Sequence, residues 1–184
     1  VEAEVKKNVA IVGAGPAGCE AALTASLRGH KVTIFEKRSF GGAMIEASKP
    51  DNKANIKRLI NYYEDHITHD PNITLVKKEA NYDMLVQGGY DAVIIAIGGK
   101  TRILDVPGSD KSSVVYANDY LNGSRVVDGK NVVIIGGGIT GAETALELDN
   151  DGKNVTIVEM ADTFLANSGS SCQAYNIAIA QSNI

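Results

Sequence analysis

Apolar and polar positions along the chain fall into two near-identical patterns. Val9 to Val12 and Val132 to Ile135 are short β-branched runs without polar alternation, which predicts buried parallel strands. Each leads into Gly-x-Gly-x-x-Gly: Gly13, Gly15 and Gly18 in the first copy, Gly136, Gly138 and Gly141 in the second. Ala- and Leu-containing stretches follow, Ala17 to Arg28 and Thr140 to Asn150, and predict helices. Gly29 and Gly152 sit where helix-ending glycines belong. A second apolar run, Lys31 to Phe35 or Asn154 to Val158, ends on an acid, Glu36 or Glu159. The offset between copies is 123 (136 − 13) and holds without a gap from Asn8 to Glu36. A period this long marks one strand–helix–strand unit used twice, not a solenoid.

The intervening pattern is less regular. Lys37 to Met44 reads as a loop with a glycine pair, Gly41-Gly42, able to wrap close to a ligand. Asp51 to His66 predicts a helix with Ile56, Leu59, Ile60 and Tyr63 on its packed stripe. Asn72 to Lys77 predicts a short strand. Asp91 to Ile97 predicts a buried strand, closed by Gly98-Gly99. Asp105-Val106-Pro107-Gly108 is a turn or linker signal, and Tyr116 to Leu121 a short helix. The expected fold is therefore α/β. A Rossmann-like domain with a parallel sheet spans about 1–125, and an incomplete second Rossmann-like unit spans 126–184. Thr163 to Ile184 supplies at most one more helix to that second unit.

The repeated spacing has a chemical logic. The first glycine permits a tight turn out of the strand, and the second lets backbone approach a pyrophosphate. The third lets the helix pack close to the strand. Unpaired N–H groups and the positive end of the helix dipole then face the phosphates. Glu36 and Glu159 each lie 18 residues past the third glycine (36 − 18; 159 − 141), where a carboxylate can accept from ribose hydroxyls. A lone motif of this kind is weak. Here each copy follows a strand, opens a helix and has its acid in place.

Composition narrows the class. With 44% hydrophobic and 22% charged residues and a net charge of −4, the chain reads as an ordinary globular protein with no basic surplus for nucleic acid. Its apolar runs, such as Ala92 to Ile97, are too short to cross a bilayer. The charged start, Val1 to Lys7, lacks the core of a signal peptide. Cys19 and Cys172 form no C-x-x-C pair, so the cytoplasm is the expected compartment. Cys19 reads as a small packed residue. His30, His66 and His69 have no zinc-ligand spacing with the cysteines, and no metal site is expected.

Several motifs occur in an order that resembles a known family: VAIVGAGPAG at 9–18, FEK at 35–37, Gly41-Gly42, YDAVIIAIGG at 90–99, VPG at 106–108 and VVIIGGGITG at 132–141. This resembles the pyridine nucleotide-disulfide oxidoreductase superfamily. Within it, GGAMIEASKP at 41–50 and the short 73–90 connection resemble the C-terminal half of NADH:flavin oxidoreductases related to 2,4-dienoyl-CoA reductase and trimethylamine dehydrogenase. The resemblance implies an FAD-type first domain and an NAD-type second one. It would place Gly13, Gly15, Pro16, Ala17, Gly18, Glu36, Lys37 and Gly42, with Ala96 and Gly98 nearby, against FAD or an ADP moiety. Gly136, Gly138, Ile139, Thr140, Gly141 and Glu159 would hold NAD(H). Ile97 stands where the family usually has Ser or Thr. No nearby cysteine pair is present, so disulfide reduction is not expected.

In the resembling enzymes, FMN and an iron–sulfur cluster belong to an upstream barrel. This chain starts without Met and its second unit stops early, so it is expected to be part of a longer protein or to work with a partner subunit. The implied activity is hydride transfer from NADH to FAD, weak in this chain alone, and no side-chain acid or base is named for it. Two other readings fit the same residues. One is an ADP-binding structural or regulatory module. The other is an assembly or electron-transfer subunit dependent on a partner protein.

Overall fold

A computed structural model describes residues 1–50, 53–163 and 165. The chain divides into two compact units, Val1–Arg102 and Ile103–Ile184.

The first unit runs β1 (Asn8–Val12), α1 (Pro16–Leu27), β2 (Lys31–Phe35), α2 (Met44–Ala47), α3 (Ala54–His69), β3 (Ile73–Val76), α4 (Tyr82–Gln87) and β4 (Ala92–Ile95). Its sheet is parallel throughout, in the order β3-β2-β1-β4. The chain steps outward from β1 through β2 to β3, then returns to pair β4 on the other side of β1. The strand order thus reverses at β1. Ligands of open α/β sheets bind beyond the strand C-termini at such a reversal, and the Gly13–Gly18 loop occupies that place.

The core is built by the period-2 strands and a narrow helix face. Val9, Ile11, Val32 and Ile34 are almost completely buried, as are Cys19, Ala22 and Ala25 on one side of α1. Small residues on that side let α1 lie close to the sheet. Tyr63 and Ile67, one turn apart on α3, close the core, with Ile60 packed against it. Tyr63 donates its hydroxyl to Glu20 at 2.8 Å, and Ser26 donates to Asp70 at 2.6 Å, tying α1 to the C-terminal half of α3 and its cap. Leu59, expected on the packed stripe, is instead 39% exposed. Ile60, Tyr63 and Ile67 lie within the packed face, and Leu59, one turn before Tyr63, falls at its margin. Residues 51 and 52 of the expected helix lie outside the described residues.

The Asp91 to Ile97 run also departs from expectation. It forms β4 as a parallel strand, but Val93, Ile94, Ile95 and Ile97 are exposed. The reason is its place: among the described residues β4 is the edge of the sheet, covered only weakly. Continuous apolarity predicts a strand buried on both faces, and the described residues leave β4 partly uncovered.

The second unit contains α5 (Ala117–Leu121), β5 (Asn131–Ile135), α6 (Ile139–Asn150) and β6 (Asn154–Val158). β5 and β6 pair in parallel with Ile134 opposite Ile157, the same register that sets Ile11 opposite Ile34. Ala142, Thr144 and Leu148 are buried on α6. Burial alternates along both strands, so one face is covered and the other bears Val133, Ile135 and Val158 to solvent. The expectation of fully buried strands fails here because, among the described residues, only one layer covers the sheet. The short α5, expected with the first domain, belongs to the second unit. There Tyr120 donates to Asp151 at 2.8 Å and Leu121 is buried. The expected helix within 163–184 and the position of Cys172 lie outside the described residues.

Candidate dinucleotide-binding sites

The two glycine loops have the same backbone. Gly13 and Gly136, at φ +103° and +105°, turn the chain off the strand in a conformation that side chains rarely adopt. Each turn is pinned by its own N–H, donated from Gly13 to Phe35 O and from Gly136 to Val158 O, both at 2.8 Å. A Cβ on Gly18 or Gly141 would overlap the carbonyl oxygen of Gly13 or Gly136, so the third glycine is required by helix–loop contact.

Both helices then start open. Gly15 and Gly138 occupy the N-cap positions with φ/ψ of −73°/−179° and −71°/−179°. Neither helix has a side-chain cap or an acid in its first turn, and α1 has Pro16 at its start. First-turn N–H groups lack intrahelical acceptors, so they are left facing outward for an anion. Pro16 and Ala17 are exposed beside them. Donor groups without a protein acceptor, in a loop that lacks Cβ atoms, fit a pyrophosphate. Among the described residues of the second unit, no atom lies within 4 Å of where a Cβ on Gly138 would stand.

The acids close each loop from the strand side. Glu36 accepts from the N–H of Ala14 (Oε2, 2.7 Å) and of Arg38 (Oε1, 2.7 Å). Glu159 accepts from the N–H of Gly137 (Oε2, 2.5 Å) and of Ala161 (Oε1, 2.8 Å). Hydrogen bonds from Ala161 and then Gly137 hold the Glu159 carboxyl below its ordinary range. Each carboxylate oxygen keeps a further lone pair for a ribose hydroxyl.

The first loop has a second wall. Gly41 donates its N–H to Ala14 O at 2.9 Å, and a Cβ on Gly42 would stand 3.0 Å from Gly15 Cα. Ala96 donates to Val12 O at 2.8 Å, and its carbonyl backs Gly13. The structure thus gathers Gly13, Gly15, Pro16, Ala17, Gly18, Glu36, Gly42 and Ala96 around one loop. Gly98, at φ +68°, lies farther along the exit of β4. Lys37 is turned to Glu79, an exposed ion pair at 2.6 Å. Gly136, Gly138, Ile139, Thr140, Gly141 and Glu159 gather in the second unit in the same way.

Three contributors escaped the sequence reading. Ala14 supplies the N–H that Glu36 holds. Arg38 supplies the second N–H, and its guanidinium pairs with buried Glu46 at 2.7 Å. The Ala14–Glu36 contact recurs as Gly137–Glu159 at the 123-residue offset. Nothing in the local pattern marks Glu46, which is buried by the turn after Gly42. Cys19 is fully buried and donates its thiol to Ala14 O at 3.3 Å. Burial, then Glu36 and Glu20, push that thiol up to about 12, which suits a packed residue and not a nucleophile.

Residues 7–183 match the family described as pyridine nucleotide-disulphide oxidoreductase. The chain belongs to that family. It is 42% identical over 175 residues to a cinnamate reductase of Clostridium sporogenes, covering 94% of this chain and 26% of that protein. It is 38% identical over 163 residues to an NADH oxidase of Thermoanaerobacter brockii, covering 86% and 25%. A 2-naphthoyl-CoA reductase complex matches in structure with a TM-score of 0.88 and 33% identity, over 99% of this chain and 28% of that one. The chain thus spans about a quarter of the length of these relatives. Membership implies binding of FAD and a pyridine nucleotide, and the resemblance to the NADH:flavin oxidoreductase group holds. Among the described residues, no helix is long and apolar enough to cross a membrane.

Proposed function

We propose that this chain holds FAD at the first loop and NAD(H) at the second, as the nucleotide-handling part of a larger flavoprotein reductase. The observation that carries this is the duplicated loop: an open helix start and a strand-end glutamate, in the same geometry twice. When bound, the two cofactors supply hydride transfer from the nicotinamide to the flavin; the protein supplies their positions.

In the first unit, Gly15, Pro16, Ala17 and Gly18 would receive the FAD pyrophosphate at the start of α1, with Gly42 beside it and Glu36 on the adenosine ribose. In the second, Gly138 to Gly141 would receive the NAD(H) pyrophosphate. Glu159 would accept from ribose and repel a 2′-phosphate, which favours NADH over NADPH. Lys37, paired with Glu79, would contribute only after breaking that pair. Substrate reduction and any FMN or iron–sulfur centre would belong to the remaining three-quarters of the relatives' length, or to a partner subunit.

The test is titration calorimetry of the chain with FAD, ADP, NADH and NADPH. FAD and NADH should bind, NADH more tightly than NADPH, and Glu159→Arg should reverse that preference because Arg pairs with the extra phosphate. Binding of ADP with no gain from the flavin half would favour the ADP-module reading. A wild type that prefers NADPH would remove Glu159 from this role.

A further inference from the structure

The glutamates ending β2 and β6 do more than face a ribose. In each unit both carboxylate oxygens are already engaged by the chain itself, and by the same two positions: the residue between the first two glycines and the residue two beyond the glutamate. Ala14 is fully buried, and Gly137 is buried as well. Their N–H groups therefore depend on the glutamate for an acceptor. The Ala14 peptide is fixed on both sides, with its N–H on Glu36 and its oxygen receiving Gly41 N–H at 2.9 Å.

We propose that Glu36 and Glu159 are positioning residues that set the shape of the glycine loops before any nucleotide arrives. An ionised carboxylate accepts at both oxygens and carries no donor of its own. A glutamine in the same place still offers an oxygen to a ribose hydroxyl. Its amide, however, points a donor at one of the two N–H groups, and a buried donor left unmatched is costly. The loop then relaxes, and the helix-start donors lose their aim at the phosphates. The ligand-binding arm of this inference rests on the function proposed above; the loop-setting arm does not.

The experiment has two arms on the full chain. First, amide spectra of the ligand-free protein are followed from about pH 7 to about pH 3, the carboxyl range. The other titratable or charged groups around Glu36 are Cys19, Glu20, Arg38 and Glu46. The amide protons of Ala14 and Arg38 should shift together, and those of Gly137 and Ala161 together. Glu36→Gln should abolish the first pair of shifts and leave the second. Amides that do not titrate, or that still titrate in Glu36→Gln, overturn the proposal.

Second, ADP is compared with 2′,3′-dideoxy-ADP. Glu36→Gln should weaken both by a similar factor, about tenfold. A loss confined to ADP would mean that Glu36 acts through the ribose hydroxyls alone, and the proposal fails. If the wild type binds neither ligand, the functional reading of the first site falls, and the amide titration still decides the loop-setting role.

Discussion

The two units share a strand–loop–helix–strand module residue for residue, yet differ in what surrounds it. In the first, the module sits inside a four-stranded sheet, with Ile11 and Ile34 inaccessible and the glycine turn backed by the Ala96 carbonyl. Among the described residues of the second, the same module forms a two-stranded sheet with Ile135 70% exposed and no atom within 4 Å of a Cβ placed on Gly136. The loop geometry is nonetheless the same to within a few degrees. Turn, cap and strand-end acid are thus set locally, over about one helix and two strands. Burial is set by how many elements cover the module.

Paired substitutions sharpen this contrast. The largest expected difference is at the first glycine. Gly13→Ala combines an unfavourable positive φ with overlap on the Ala96 carbonyl, and should cost about 2–6 kcal/mol. Gly136→Ala meets only the backbone strain and should cost about 1–3 kcal/mol. Denaturant unfolding with a probe in each unit measures both. Equal losses would mean that the neighbouring strand contributes nothing at Gly13.

Next come the opposed isoleucines. Ile34 is fully buried, and Ile34→Ala should cost about 2–5 kcal/mol, whereas half-buried Ile157→Ala should cost about 1–2 kcal/mol. A larger loss at Ile157 would reverse the comparison. The smallest effect concerns acid. Glu159 has its carboxyl held below the usual 4.5, so its contribution to stability is present above that pH. It is lost as pH falls through the lower folded-state value. Glu159→Gln should therefore lower the second unit's stability at neutral pH, leave it little changed once pH has fallen through the folded-state value, and so flatten the acid profile. An unchanged profile would show that these hydrogen bonds do not persist in solution.

Much of this was legible before any coordinates. β-branched runs located all six strands among the described residues, and the helices after each glycine motif began one residue from their expected starts. These features depend on neighbours a few positions away. The exposure of Val93 to Ile95 was not legible, because strand order decides which strand lies at an edge, and apolar content does not. Nor was the Arg38–Glu46 pair, whose partners meet only after the glycine-pair turn has folded. The allegiance of α5 to the second unit was hidden for a similar reason: Tyr120 reaches Asp151, 31 residues away, through a contact that no periodicity encodes.

The pairing of β4 with β1 has a consequence for how the first site assembles. Joining β1 to β2 closes a loop of 23 residues, from Asn8 to Lys31, whereas Asn8 N–H reaches the Asp91 carboxylate across 83. Loop entropy rises with the logarithm of length, so the longer closure costs about 1 kcal/mol more. The strand–helix–strand module therefore closes early in both units, on local contacts. The fourth strand is expected to arrive late and to leave first. Ala96, carried at its end, brings the wall behind Gly13 with it. Native-state amide exchange should find β4 opening at lower free energy than β1 and β2, so that the first nucleotide site is finished by the least anchored strand around it.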